Sequence, residues 1–169
     1  MKKILLSAFL ALFMSGTAFA DTVRMGTEGA YPPYNFINDN GEVDGFEKDV
    51  GDMLCIRANL DCVWVINEWD SIIPNLVSGN YDTIIAGMSI TAERDEVIDF
   101  TQDYFPPSPS VYMGMSGADI DVDSAVIAAQ TATIQAGYVA ESGATLVEFA
   151  TAEETCLLYT SDAADEITG

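Results

Sequence analysis

The sequence predicts an α/β protein organised around a parallel-rich sheet, and three observations carry that prediction. Strand-like and helix-like segments alternate β-α-β-α-β between residues 22 and 98. Within 45–58, the apolar residues Phe46, Val50, Met53, Leu54 and Ile56 recur close to a helical period. The run at 62–66 is short and β-branched, and 83–88 reads as a further, buried strand.

Taken in order, the chain opens on a secretory signal. Lys2 and Lys3 form its charged start, residues 4–13 its apolar run, and Ala18-Phe19-Ala20 a small-residue cleavage site. That run is too short to span a bilayer. Cleavage after Ala20 leaves a mature start at Asp21, outside the cytoplasm, with no cysteine there to carry a lipid anchor. Residues 22–26 alternate apolar and polar as a first strand. Tyr31-Pro32-Pro33-Tyr34 is a rigid aromatic loop, because proline fixes φ, and Asn38-Asp39-Asn40-Gly41 is a turn. Residues 69–77 form a helix with Ile72, Ile73, Leu76 and Val77 inward, ended by Gly79-Asn80. Residues 92–98 form the helix that carries Arg94. Parallel sheets bind ligands beyond the carboxyl ends of their strands, and Glu28, Tyr31 and Ser89 fall just after strand ends.

The stretch from Ile84 through Gly87 and Ser89 to Arg94 suits capture of a carboxylate. A turn of small residues lets backbone N–H groups approach an anion, and a helix start adds positive potential. Arg94 can then grip that anion with two parallel hydrogen bonds. The alternative is a solvated arginine paired with Glu93 or Asp95. Pro106, Pro107 and Pro109 interrupt the chain, and the extended run at 110–115 reads as a crossing into a second domain. There, a strand at 126–129, the turn Gln130-Thr131-Ala132-Thr133, a helix at 134–141 and a strand at 145–149 make a second cradle facing the first across a cleft.

The 169-residue chain carries 27 acids against six cations, a net charge of −21; without Lys2 and Lys3, four cations remain and the net is −23. Such a surface disfavours nucleic acid and anionic lipid, and is compatible with a cationic ligand. In an oxidising compartment Cys55 and Cys62 can pair across six residues, or stand as two buried thiols. With no histidine and no second cysteine pair, no metal site and no cofactor are read. Cys156 lies in Cys156-Leu157-Leu158-Tyr159-Thr160-Ser161-Asp162-Ala163-Ala164-Asp165-Glu166, which resembles the translation of a transposase adapter used in sequencing-library preparation. On that reading natural sequence stops near Thr155 and residues 156–169 are excluded from fold reasoning. The other reading is a genuine short helix or loop.

Several ordered motifs resemble the family 3 periplasmic solute-binding proteins, the polar amino-acid receptors of ABC importers. They are Thr27-Glu28-Gly29-Ala30-Tyr31-Pro32-Pro33-Tyr34, Asp44-Gly45-Phe46-Glu47, Trp69-Asp70-Ser71-Ile72-Ile73-Pro74-Asn75-Leu76, and Ser89-Ile90-Thr91 through Arg94. Asp99-Phe100-Thr101 and the Cys55/Cys62 spacing also match the lysine/arginine/ornithine and histidine receptors. The resemblance covers about residues 22–155 and implies the two-lobe type II periplasmic binding protein fold, incomplete at its C-terminus. On that basis lobe 1 is expected over 21–109, the hinge crossing over 110–116, and part of lobe 2 over 117–155.

The resemblance assigns Arg94 to the ligand α-carboxylate, helped by backbone N–H groups around Ser89 and Thr133. It places Gly87 and Ser89 at the amino-acid head, Tyr31 and Trp69 around the side chain, and Glu28 at its far end. Aromatic faces attract a guanidinium or ammonium by about 0.5–2 kcal/mol each, and a carboxylate in a closed cleft adds a charge-assisted bond. The expected ligand is therefore a free, cationic amino acid or an opine, and the expected partner an inner-membrane importer permease, with the protein monomeric and in the periplasm. One departure is Ala132, which stands where the family usually has glycine, so close backbone approach is less favoured there. The family's ammonium-binding acid and its return crossing lie beyond this chain, so the piece is expected to bind poorly. Two other functions stay open. One is a secreted enzyme on the same fold, of the cyclohexadienyl dehydratase kind, which needs a general acid or base. The other is the sensing module of a larger receptor.

Overall fold

A computed structural model describes residues 22–117 and 119–157. The expected leader and residues 158–169 of the expected tail lie outside the described residues. In chain order the elements are β1 (Thr22–Thr27), β2 (Ala30–Tyr31), β3 (Asn35–Ile37), β4 (Val43–Asp44) and α1 (Phe46–Ala58). Then come β5 (Asp61–Ile66), a 3-10 turn (Trp69–Ser71), α2 (Ile72–Val77), β6 (Thr83–Ile84) and α3 (Ala92–Asp95). The last are β7 (Val126–Gln130), α4 (Ile134–Ala140), β8 (Thr145–Phe149) and α5 (Ala152–Leu157). The α/β class holds. β1 is the centre of a parallel three-stranded sheet in the order β5-β1-β6, and β7 pairs with β8, also in parallel.

The first sheet is buried on both faces, as parallel sheets are. One face holds Met25, Cys55 and Ile85, with Val23, Cys62 and Trp64 packed against them. The other holds Trp69, Ile72, Tyr81 and Ala86, with Val65, Ile73, Leu76, Ile84 and Met88. Strand alternation explains the split at the β6 edge, where Ile85 points one way and Ile84 and Ala86 the other. Ile72, 1% exposed, contributes about 1.5–3 kcal/mol of burial on its own. Arg24 and Asp82 fasten the edge: the guanidinium donates to both carboxylate oxygens at 2.7 and 3.0 Å.

Several expected elements change. α1 buries Glu47, Gly51 and Cys55, residues four apart on one face, while Met53, Leu54 and Ile56 are exposed. Close packing selects that face, since a Cβ on Gly51 would lie 2.6 Å from the Trp64 ring. The small antiparallel sheet β2-β3-β4 has no counterpart in the expectation. Its strands of two or three residues are too short to show a period, although the 38–41 turn does join β3 to β4. Val77 is 65% exposed rather than inward. The strand expected at 83–88 pairs only at β6, and the helix expected at 92–98 is the single turn α3. Residues 110–115 pair with no strand among the described residues. α5 overlaps the expected tail only at residues 156 and 157. Cys55 and Cys62 are disulfide-bonded.

Candidate functional site

A cleft of about 740 Å³ lies beyond the carboxyl end of β1, between the first sheet and the β7-α4 turn, and its size suits a small ligand. All seven residues expected to bind line it: Glu28, Tyr31, Trp69, Gly87, Ser89, Arg94 and Thr133. Topology brings them together. Glu28 follows β1 directly, Tyr31 ends β2, Gly87 and Ser89 follow the β6 edge, and Thr133 starts α4.

Arg94 is the cation of the cleft. Its backbone N–H is capped by the Thr91 hydroxyl at 3.2 Å, which sets α3 and aims the side chain back over the turn. The guanidinium donates to the Ser89 carbonyl at 2.9 Å and across the cleft to the Ala132 carbonyl at 3.3 Å. It also sits 5.5 Å from the Trp69 ring centroid, within cation–π range. Burial lowers its pKa, with Glu93 opposing. No carboxylate pairs with Arg94 among the described residues, whose salt bridges are Arg24–Asp82 and Lys48–Asp52. The solvated arginine paired with Glu93 or Asp95 is thus not what forms.

Glu28, 7% exposed, is the opposing acid. Gln130 Nε2 donates to its Oε1 at 2.5 Å and to the Ala150 carbonyl at 3.0 Å. Burial raises the Glu28 pKa, the Gln130 bond pulls it down, and the charge of Glu47 raises it again. Gln130 thereby spends both amide hydrogens and keeps its carbonyl oxygen as an acceptor.

Tyr31 stacks on Tyr34 with centroids 5.2 Å apart and stays 41% exposed toward the cleft. Trp69 is nearly buried, and its indole N–H donates to the Ala132 carbonyl at 3.2 Å. Its face is thus met by Arg94, an arrangement not foreseen. Ala132 takes φ +55, a left-handed conformation that a glycine would adopt more readily. The strained carbonyl it presents is the acceptor shared by Trp69 and Arg94 across the cleft.

The Gly87 turn departs from the anion cradle expected. Its N–H is taken by the Glu47 carboxylate at 2.6 Å, so that donor is not free for an anion. Thr133 caps α4, accepting from the Ala136 N–H at 3.1 Å and donating to the Gln130 carbonyl at 2.6 Å. Its hydroxyl is consumed locally. With α3 only four residues long, the positive charge here is that of Arg94 rather than of a helix.

Three residues that shape the site carry no role in the sequence reading: Gln130, Tyr104 and Glu47. For Glu47 a signal existed: an acid on the same helical face as Gly51 and Cys55, a stripe too small to be anything but a close-packed face. Gln130 and Tyr104 meet their partners only through tertiary structure, 102 and 57 residues away in sequence.

The profile of the bacterial extracellular solute-binding proteins, family 3, matches residues 23–154. The octopine-binding periplasmic protein of Rhizobium meliloti is 42% identical over 104 residues, 62% of this chain and 35% of that protein. The L-arginine-binding protein of Pseudomonas aeruginosa is 35% identical over 144 residues, 83% of this chain and 55% of that protein. Among solved structures, a periplasmic His/Glu/Gln/Arg/opine family-binding protein from Silicibacter pomeroyi in complex with lysine is 75% identical, with a TM-score of 0.77. That match covers 81% of this chain and 62% of the solved one. The chain thus spans 35–55% of the length of these two curated relatives.

Proposed function

Because the chain belongs to the bacterial extracellular solute-binding proteins, family 3, we propose that it binds a cationic amino acid in the periplasm and presents it to an ABC importer permease. The candidates are arginine, lysine, ornithine and arginine-derived opines. One observation carries the reading: Arg94 and Glu28 line the same 740 Å³ cleft, both desolvated, and neither is ion-paired among the described residues. A zwitterion with a cationic side chain supplies both missing partners, its carboxylate to Arg94 and its distal cation to Glu28.

Gly87 and Ser89 would hold the amino-acid head, with the Thr133 backbone beside the carboxylate. Tyr31 would cover the aliphatic stem. The Gln130 carbonyl oxygen and Glu28 would together accept the distal cation. The names of the relatives support this choice of ligand: octopine, arginine and, in the solved structure, lysine. We assign residues 21–109 to a first lobe, 110–116 to the hinge crossing and 117–155 to the second lobe. The contacts of Ala132 with Arg94 and Trp69, and of Gln130 with Glu28, support a closed arrangement of one on the other. The ligand then shifts the population toward the closed state that a permease recognises. The protein acts as a monomeric binder and not as an enzyme, after removal of its leader at Ala20.

Thermal denaturation of the full-length protein tests the reading. Arginine, lysine, ornithine or octopine should raise the melting temperature, by about 2.7 kcal/mol of stabilisation at a hundredfold excess over Kd. Arg94→Ala should abolish every shift. A response confined to glutamine or glutamate keeps the receptor but removes Glu28 as the specificity residue. No response to any of them overturns the proposal.

A further inference from the structure

Glu47 lies in the first turn of α1 at 1% exposure, and no cation pairs with it among the described residues. A carboxylate removed from water in this way is costly unless hydrogen bonds replace its hydration. Three donors converge on it. Its Oε1 accepts from the Gly87 N–H at 2.6 Å and from the Tyr104 hydroxyl, and its Oε2 accepts from Asn35 Nδ2 at 2.6 Å. Asn35 is fully buried, and its Oδ1 accepts from the Gly29 N–H at 2.7 Å. One side chain is therefore bonded, directly or through Asn35, to two left-handed turns, Gly29 at φ +73 and Gly87 at φ +60. Each turn adjoins residues that line the cleft: Glu28 and Tyr31 at the first, Ser89 at the second.

We infer that Glu47 is a positioning residue for the cleft, its carboxylate holding the Gly29 and Gly87 turns and through them both ends of the ligand site. Charge is essential to the arrangement, because only a carboxylate offers acceptors to all three donors. A glutamine at 47 can turn its oxygen to Gly87 and Tyr104, but its NH₂ then faces the Asn35 NH₂. Flipping Asn35 cures that contact and turns the Asn35 NH₂ against the Gly29 N–H. Asn35→Asp restores complementarity, since an aspartate there accepts from both Gly29 and the new glutamine amide. The effect on affinity rests on the ligand reading above; the effect on the turns does not.

The test uses ¹⁵N-labelled full-length protein. Amide exchange at Gly29 and Gly87 reads the turns, and calorimetry with L-arginine reads the site. Glu47→Gln should strip protection from at least one of the two glycines and lower arginine affinity about tenfold. Glu47→Gln combined with Asn35→Asp should return both protection and affinity, a rescue that general destabilisation does not produce. If Glu47→Gln alone does not fold, the paired variant decides: recovery of fold and protection supports the inference, and failure overturns it. A folded Glu47→Gln protein with both glycines protected and arginine affinity unchanged also overturns it. If the wild type does not bind arginine, the functional reading fails, while exchange at the two glycines still decides the role of Glu47.

Discussion

Glu28→Gln separates the cost of the cleft's acid from its use. The variant keeps the side-chain shape and an oxygen that still accepts from Gln130, so only the charge is lost. In the proposed complex that charge meets the distal cation of the ligand. A hydrogen bond to a charged group contributes about 1.5–3 kcal/mol, so arginine affinity should fall about 10- to 150-fold. Glutamine has no distal cation and should lose little. The ligand-free protein should respond in the opposite sense. Burial and the Glu47 charge raise the Glu28 pKa above its ordinary value of 4.5, with Gln130 only partly opposing. The native state therefore holds that proton more tightly than the unfolded chain, and the wild type loses stability as pH rises from below 4.5 through the raised pKa. At pH 7 the variant, lacking that penalty, should melt higher than the wild type, and the gap should close in acid. Calorimetry with arginine and glutamine, beside melting curves across pH, reads both effects. Unchanged arginine affinity, or a ligand-free variant that melts lower at neutral pH, refutes the reasoning.

Three further predictions concern the frame. Ala132→Gly removes the side chain from a left-handed backbone at φ +55 and should stabilise the fold by about 1 kcal/mol, less the unfolded-state entropy that glycine adds, read as a rise in melting temperature. Thr27 is fully buried with a hydroxyl that has no partner among the described residues, so Thr27→Val should be stabilising by about 1 kcal/mol, measured by urea denaturation with the slope unchanged. Asp82 has its pKa lowered to about 2 by Arg24, so this pair adds stability above the ordinary carboxylate range and loses it as pH falls toward about 2. Asp82→Asn should accordingly flatten the acid limb of a stability–pH profile and lower the plateau near neutrality.

Much of the site was legible because it sits on local signals. A strand end, an aromatic loop and a glycine turn each mark their own residues, and the parallel sheet gathers them at one edge. Helix extent was not legible. The Arg94 helix stops after one turn, and β6 after two residue pairs, because nothing in those residues alone records what packs on them. α1 misled in another way: its apolar residues repeat with helical period but mostly face outward, and the buried stripe is set by the room that Gly51 gives Trp64. The small residue carried the packing information there, not the hydrophobic ones. Ala132 shows a third limit. Its identity argued against a glycine-like turn, yet the backbone takes that conformation, and two donors from the opposite wall converge on its carbonyl. Cross-cleft partners such as Gln130 and Glu28 are joined only by the fold.

The most direct test is a crystal structure of the full-length protein with L-arginine bound. The account predicts one ligand in the cleft, its carboxylate paired with the Arg94 guanidinium and its own guanidinium within hydrogen-bond reach of Glu28. A ligand bound in the reverse sense, or bound away from both residues, would contradict it.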